Sequence, residues 1–388
     1  MSDSPPAYSA AAGAPRKPVL AILTVDDEQR NFRGNRQNFA DLISTGERLG
    51  FITYVVTVKN FRLKSATLPG YTYHPREKAW VRGRFPYPDI VYNRIPQRED
   101  ERQPSVKKKL DQLAGRPELL LFNRRFFNKW TLYKWLRASR ATRKWIPETR
   151  RLTRPAVLSG MLRKYSFLFL KPVRGKAGVG IMTVRVLSEG RRRYRLQIQE
   201  DQGSRTFRYR SLKTLWRRVC RESRLQGEPY IAQQGIPLAT AGNRRFDLRA
   251  LVQKNGEGRW EVTGIGARVA GEGSITTHVP RGGHIEEPGK LLTAAFGGSR
   301  GLQMLGQAGE AALKLARQIE RSSRSLLGEM SMDLGIDETG RIWFFEANSK
   351  PMKFDEPHIR KKSLERIFQY SLHLYRTKKK KSSAHARR

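Results

Sequence analysis

The stretch Trp343-Phe344-Phe345-Glu346-Ala347-Asn348-Ser349-Lys350-Pro351 decides how this chain reads. An apolar run ends in a carboxylate and an amide two residues apart. Successive side chains alternate across a strand, so Glu346 and Asn348 share one face. Met330 to Ile336 reads as the preceding strand, and Asp337-Glu338-Thr339-Gly340 as the turn that folds the pair back. That turn brings Asp333 beside Glu346 and Asn348. Two carboxylates and an amide oxygen are hard ligands, suited to Mg²⁺ bridging nucleotide phosphates. The alternative is two surface acids flanking a hairpin. In a chain with 35 Asp and Glu against 76 Lys and Arg, acids gathered at the end of a Trp-Phe-Phe strand favour the metal.

Working outward, Phe167-Leu168-Phe169-Leu170-Lys171-Pro172 reads as an apolar strand ending in a lysine. The loop Val173 to Gly180 follows, with Gly175, Lys176, Gly178 and Gly180 within it. Closely spaced glycines let backbone N–H groups approach phosphate oxygens, and a lysine leaving a buried strand sets a point charge beside them. The spacing fits neither a Walker A loop nor a dinucleotide fingerprint. Taken alone, a glycine-rich hairpin explains it as well. Asp247 and Arg249 share a strand face and, taken alone, read as an internal ion pair. His278 and His284 flank Pro280-Arg281-Gly282-Gly283 without zinc-type spacing, leaving substrate contact or no role.

Composition bounds the rest. The chain has 388 residues, enough for two or three domains, and its 17 Phe, 13 Tyr and 7 Trp can fill a core. The net charge is +41, and removing the seven basic residues of 376–388 leaves +34. The excess is spread over the body and points to a polyanionic partner. One cysteine, Cys220, excludes an internal disulfide and a cysteine zinc cluster. No apolar run reaches the roughly 18 residues of a membrane span, and Asp26-Asp27-Glu28 closes the short run Val19–Val25, unlike a signal peptide. We therefore expect a soluble intracellular protein. Residues 1–17 read as a disordered leader and 376–388 as a basic disordered tail. Between them, Val19–Val25, Asn35–Leu49 and Phe51–Val58 read as a β-α-β opening. Lys129–Arg140, Gly306–Leu327 and Ser363–Tyr375 read as helices, and Gln197–Tyr209 as a hairpin. Strands dominate from Tyr230 through Val269.

Taken in order, Lys129, Lys171-Pro172 with its glycine loop, Gln233-Gln234-Gly235-Ile236, Asp247 with Arg249, Asp333, and Glu346-Ala347-Asn348 resemble an ATP-grasp domain. More closely, the chain resembles the endospore coat-associated YheC/YheD family of that superfamily. The phrases Tyr92-Asn93-Arg94-Ile95, Asn128-Lys129-Trp130, Pro147-Glu148-Thr149, Phe246-Asp247-Leu248-Arg249 and Gly264-Ile265-Gly266-Ala267-Arg268-Val269 carry that likeness over residues 19–375. The resemblance implies an α+β fold, two lobes gripping Mg-ATP (121–375) behind a small N-terminal α/β domain (18–120). It implies that Lys129 and Lys171 hold phosphates under the glycine loop. Gln233 to Ile236 would be the hinge meeting adenine. Arg249 and Arg268 would meet the γ-phosphate or an acyl phosphate, and Asp333, Glu346 and Asn348 the magnesium. Thr277-His278 departs from the family's Thr-Asn, and Lys176 stands where a small residue is usual.

The resemblance also implies an ATP-dependent carboxylate–amine or peptide ligase working through an acyl phosphate, in the sporulating cell's cytoplasm or the spore coat. Its carboxylate and amine substrates are unspecified by the sequence. A non-catalytic coat component with the same fold is a second expectation. Charge alone motivates a third, a polyanion- or nucleic-acid-binding protein; the expected partner is an acidic coat protein or anionic polymer, with nucleic acid as a nonspecific alternative. No nucleic-acid module is visible.

Overall fold

The computed structural model describes residues 16–174, 178–191, 193–201, 203–225, 227–272, 274–275, 277 and 282–385, with backbone only at 225 and 381–385. Val19–Thr24 is wholly buried, as a continuous apolar run demands, and forms the middle of the first sheet. It pairs in parallel with Ile52–Thr57, in register Val19↔Ile52, and with Ile90–Asn93 on its other side. The helix Arg36–Arg48 connects the first two strands, capped by the Asn35 side chain on the amide of Asn38. The β-α-β opening is therefore present. An antiparallel hairpin, Thr67–His74 with Ala79–Pro86, extends one edge.

The other edge is Leu120–Phe122, parallel to Ile90–Asn93. The expected boundary at 120/121 thus cuts a strand of the first sheet. The closing helix also crosses expected limits. It runs Pro357–His385, taking in residues 376–385 of the stretch read as disordered. Ile367, Phe368, Tyr370, Leu374 and Tyr375 bury themselves against Leu20, Ile22, Phe39 and Phe122, so this helix returns to cover one face of the first sheet. Of the expected leader, residues 1–15 lie outside the described residues.

The second sheet is antiparallel, ordered 204–209, 194–199, 182–186, 167–172, 230–234, 149–151. Helices Pro155–Lys164 and Leu212–Leu225 cover one face, where Leu168, Leu170, Val184 and Leu196 are buried. The third is ordered 284–286, 260–269, 244–254, 329–336, 342–348. Helices Lys129–Ala138, Pro288–Phe296 and Gly298–Ser323 pack on it around Leu248, Leu315, Met332 and Phe344. The other face of the third sheet is partly covered by the last helix, where Ile359 packs on Leu251.

Buried polar contacts lock the first domain to the third sheet. Asn123, at φ 55°, accepts from the amide of Gly328 (2.8 Å) and donates to the carbonyl of Glu329 (2.9 Å) and to that of Ser349. Arg94 meets Glu329 at 3.1 Å, and Lys350 binds Glu101. Both strands that carry the acid cluster are thus anchored at their Asn123 end. Among the described residues, no helix is long and apolar enough to cross a membrane.

Candidate nucleotide and metal site

The strand pair has the register the acid cluster requires: Asp333 lies opposite Glu346, and Ser331 opposite Asn348. Next to it, Leu334 pairs with Phe344, leaving Phe345 as one extra residue. This is a β-bulge, and it changes what the strand presents. Strict alternation would turn Phe345 away from Glu346, yet both line the same cleft. Gly335 makes the room. A Cβ there would stand 2.5 Å from the Phe345 ring and 2.7 Å from Leu238.

The cleft encloses about 830 Å³, its open mouth included, between the second and third sheets. Lys129, Lys171, Gln233, Gln234, Ile236, Gly178, Asp333 and Glu346 all line it, so the structure brings most of the expected site together. Gly178 and Gly180 have φ of 75° and 70°, left-handed backbone that glycine adopts freely. Gly175 and Lys176, like His278, lie outside the described residues. Gly235 does not line the cleft. Its amide donates to the carbonyl of Phe167 (2.8 Å), pinning the hinge to the second sheet.

Lys171 is held from three sides. Its ammonium donates to Gln233 Oε1 at 2.7 Å and sits over the rings of Phe169 (5.1 Å) and Phe345 (5.5 Å). Gln233 is fixed in turn by its Nε2, which donates to Thr149 Oγ1. Burial, and then the neighbouring charge of Lys129, pushes the Lys171 pKa down to about 8. Lys129 opens the helix Lys129–Ala138 and places its Nζ 3.3 Å from Glu346 Oε2.

The expected arginines separate. Arg268 makes two bonds to Asp247 (2.9 and 2.8 Å) and one to Asp333 (2.9 Å). Burial lowers its pKa, but the two carboxylates outweigh that and raise it overall. The ion pair read between Asp247 and Arg249 is instead Asp247 with Arg268, across adjacent strands, because the register sets them opposite. Arg249 turns its guanidinium over Phe354 (4.5 Å) and donates to the Met352 carbonyl (3.4 Å), and neither it nor Arg268 lines the cleft.

Asp333, Glu346 and Asn348 are all hard oxygen donors, and buried Ala347 between the last two confirms that they share a face. Asn348 does not line the cleft itself. The donor set fits Mg²⁺, which favours few protein oxygens completed by water and phosphate. No three His, Cys, Asp or Glu side chains cluster for a metal among the described residues; the fit needs the amide and phosphate.

Sequence reasoning missed the apolar lining, Phe169, Val179, Leu238, Ile275 and Phe345, and the contact of Thr277 with Asp247. Phe169 was within reach, since it stands two residues before Lys171 on the same strand face. Phe345 was not, because nothing in the local pattern announces the bulge.

The endospore coat-associated protein YheD of Bacillus subtilis (strain 168) is 26% identical over 369 residues, covering 92% of this chain and 79% of that protein. YheC of the same organism is 22% identical over 301 residues, covering 78% and 79%. Among solved structures, D-alanyl-alanine synthetase A from Vibrio cholerae superposes with a TM-score of 0.56 at 14% identity, covering 93% of this chain and 99% of its own. The D-alanine-D-alanine ligase from Coxiella burnetii gives 0.52 at 12%, covering 95% and 98%. These two share the fold. Residues 118–374 match the YheC/D like ATP-grasp family over most of the chain, and the protein belongs to that family.

Proposed function

We propose that this protein is an Mg-ATP-dependent carboxylate–amine ligase working through an acyl phosphate, in the setting of the endospore coat. The observation that carries the reading is the convergence of Lys129, Lys171, Asp333, Glu346 and the Gln233–Ile236 hinge on one cleft. Adenine would lie against Phe345, Ile236 and Leu238, with its edge toward the hinge backbone. Lys171 would meet phosphate, with Gln233 positioning its ammonium. Lys129 would leave Glu346 for phosphate as Glu346 and Asp333 took up the metal, with Asn348 as the further donor. Bound magnesium would neutralise phosphate charge.

A substrate carboxylate oxygen would attack the γ-phosphorus, and the bond to the β-phosphate oxygen would break to release ADP. An amine would then attack the acyl carbon, expelling phosphate and forming the C–N bond. Arg268, fixed by Asp247 and Asp333, and Arg249 would stabilise charge on the transferred group. Such catalysis is chiefly positioning and charge neutralisation, with no side-chain nucleophile. The names of the B. subtilis relatives support the spore-coat setting. The test is ADP release against a library of carboxylates and amines, spore-coat extracts included, with hydroxylamine trapping the acyl phosphate. ADP release that depends on an added carboxylate supports the reading; none with any carboxylate or extract contradicts it.

A further inference from the structure

Beyond the hinge lies a second recess, sharing Ile236, Leu238 and Ile275 with the nucleotide cleft and holding about 1000 Å³ with its open mouth. The amide of Ile275 donates to Gln199 Oε1 (3.1 Å), so a loop of the third-sheet lobe reaches the second sheet here. Three guanidiniums line the recess, Arg185 and Arg195 from the second sheet and Arg245 from the lobe opposite. Arg185 and Arg195 are direct cross-strand partners, and Arg195 is in turn opposite Arg208. Like charges set directly opposite destabilise a sheet.

Among the described residues, no carboxylate pairs with Arg185 or Arg195 to relieve that repulsion. Among the described residues, none of the three guanidiniums has an ion-pair or hydrogen-bond partner, and Arg195 Nε is buried without one. Burial, and then Arg195 and Arg245, lower the pKa of Arg185. The one acid of the lining, Glu338, is exposed. Thr183, Gln197 and Asn243 add neutral donors and acceptors. Clustered guanidiniums lacking carboxylates form a receptor for planar anions, which they bind bidentately.

We propose that this recess is a binding site for an acidic polypeptide segment, its carboxylates paired by Arg185, Arg195 and Arg245. Peptide is favoured over single-stranded nucleic acid because the lining offers no aromatic face for base stacking. Its one aromatic, Phe167, is buried and covered by the Arg185 guanidinium at 3.6 Å. Gln197, Thr183 and Asn243 can pair with peptide backbone. This inference localises part of the +41 charge, and it does not rest on the ligase reading.

The experiment uses the full chain without nucleotide and a fluorescein-labelled oligoglutamate, read by anisotropy at low salt. The triple variant Arg185→Gln/Arg195→Gln/Arg245→Gln should weaken binding at least about tenfold, as loss of charge-assisted hydrogen bonds predicts. A charge-matched control, Arg62→Gln/Lys64→Gln/Arg82→Gln, removes three exposed charges of the first domain and should change affinity by less than about twofold. The single variant Arg195→Gln, with far-ultraviolet circular dichroism as a check, keeps the test valid if the triple variant misfolds. Equal weakening by both triples, or none by the recess variants, would overturn the proposal. So would tighter binding of a labelled oligothymidylate that the same triple abolishes, which would assign the recess to nucleic acid.

Discussion

Lys129 Nζ stands 3.3 Å from Glu346 Oε2, so a residue expected to hold phosphate and one expected to hold metal face each other directly. The contact aims the Glu346 carboxylate into the cleft before any ligand arrives. It also gives two ligands opposite dependence on one side chain. In Lys129→Met, Glu346 loses a competing cation, so Mg²⁺ alone should bind more tightly. ATP loses a charge-assisted contact of about 1.5–3 kcal/mol, or roughly ten- to a hundredfold. Calorimetry with MgCl₂ and with Mg-ATP separates the two; parallel changes would show that the pairing has no part in binding.

Lys171 should give nucleotide binding a pH dependence. Its pKa in the free protein is about 8, so the ammonium is mostly charged at pH 7 and mostly neutral at pH 9. A phosphate-bound ammonium keeps its proton to higher pH, so affinity should fall as pH rises through 8, approaching tenfold per unit. Lys171→Met should bind weakly with that step removed. Lys171→Arg should restore little, since a planar fork does not fit where Gln233, Phe169 and Phe345 enclose a compact ammonium. Affinities from pH 7 to 9.5 check this.

The bulge at Phe345 sets Gly335 directly behind two residues that line the cleft, Phe345 and Leu238. Gly335→Ala forces a Cβ into the Phe345 ring and Leu238. We expect a loss of about 1–3 kcal/mol in stability, as for other over-packed sites, together with weaker ATP binding as the ring moves. Urea denaturation and calorimetry on the same variant test both. Unchanged ATP affinity would place the Phe345 ring outside the adenine pocket.

Glu329 joins the first domain to the third sheet, accepting from Arg94, from the Tyr92 hydroxyl and from Gln253 Nε2 (3.2 Å). Glu329→Ala leaves Arg94 buried without its carboxylate, which should cost about 3–5 kcal/mol. The loss should appear in chemical denaturation, while Mg-ATP affinity of the folded fraction stays near the parent value.

Much of this architecture is legible in sequence because it rests on local patterns. Val19–Val25 and Phe167–Pro172 announce buried strands by composition, and the Asp337–Gly340 turn fixes the partner of the Glu346 strand. The hairpin strand Thr67–His74 escapes because Pro69 and Gly70 interrupt its pattern. There Gly70 packs beneath Tyr54, where a Cβ would stand 2.7 Å from the ring, a requirement set by tertiary packing. The continuation of the last helix through 376–385 escapes for a related reason. Its lysine run reads as solvated tail, whereas the helix it continues is anchored upstream by Phe368 and Tyr370 against the first sheet. Arg268 could be singled out by resemblance, but its partner could not be, since pairing with Asp247 depends on the register of the strands 244–254 and 260–269, which an irregularity at Leu251/Val252 shifts.

The central claim is a metal-dependent nucleotide site built on Asp333 and Glu346. Titrating the protein with ATP by calorimetry, with and without magnesium, for the parent and for Glu346→Gln, tests it most directly. Magnesium should strengthen ATP binding in the parent, and Glu346→Gln should lose this gain while retaining its fold and its magnesium-independent binding. The same magnesium gain in Glu346→Gln as in the parent, or no ATP binding by the parent under either condition, would contradict it.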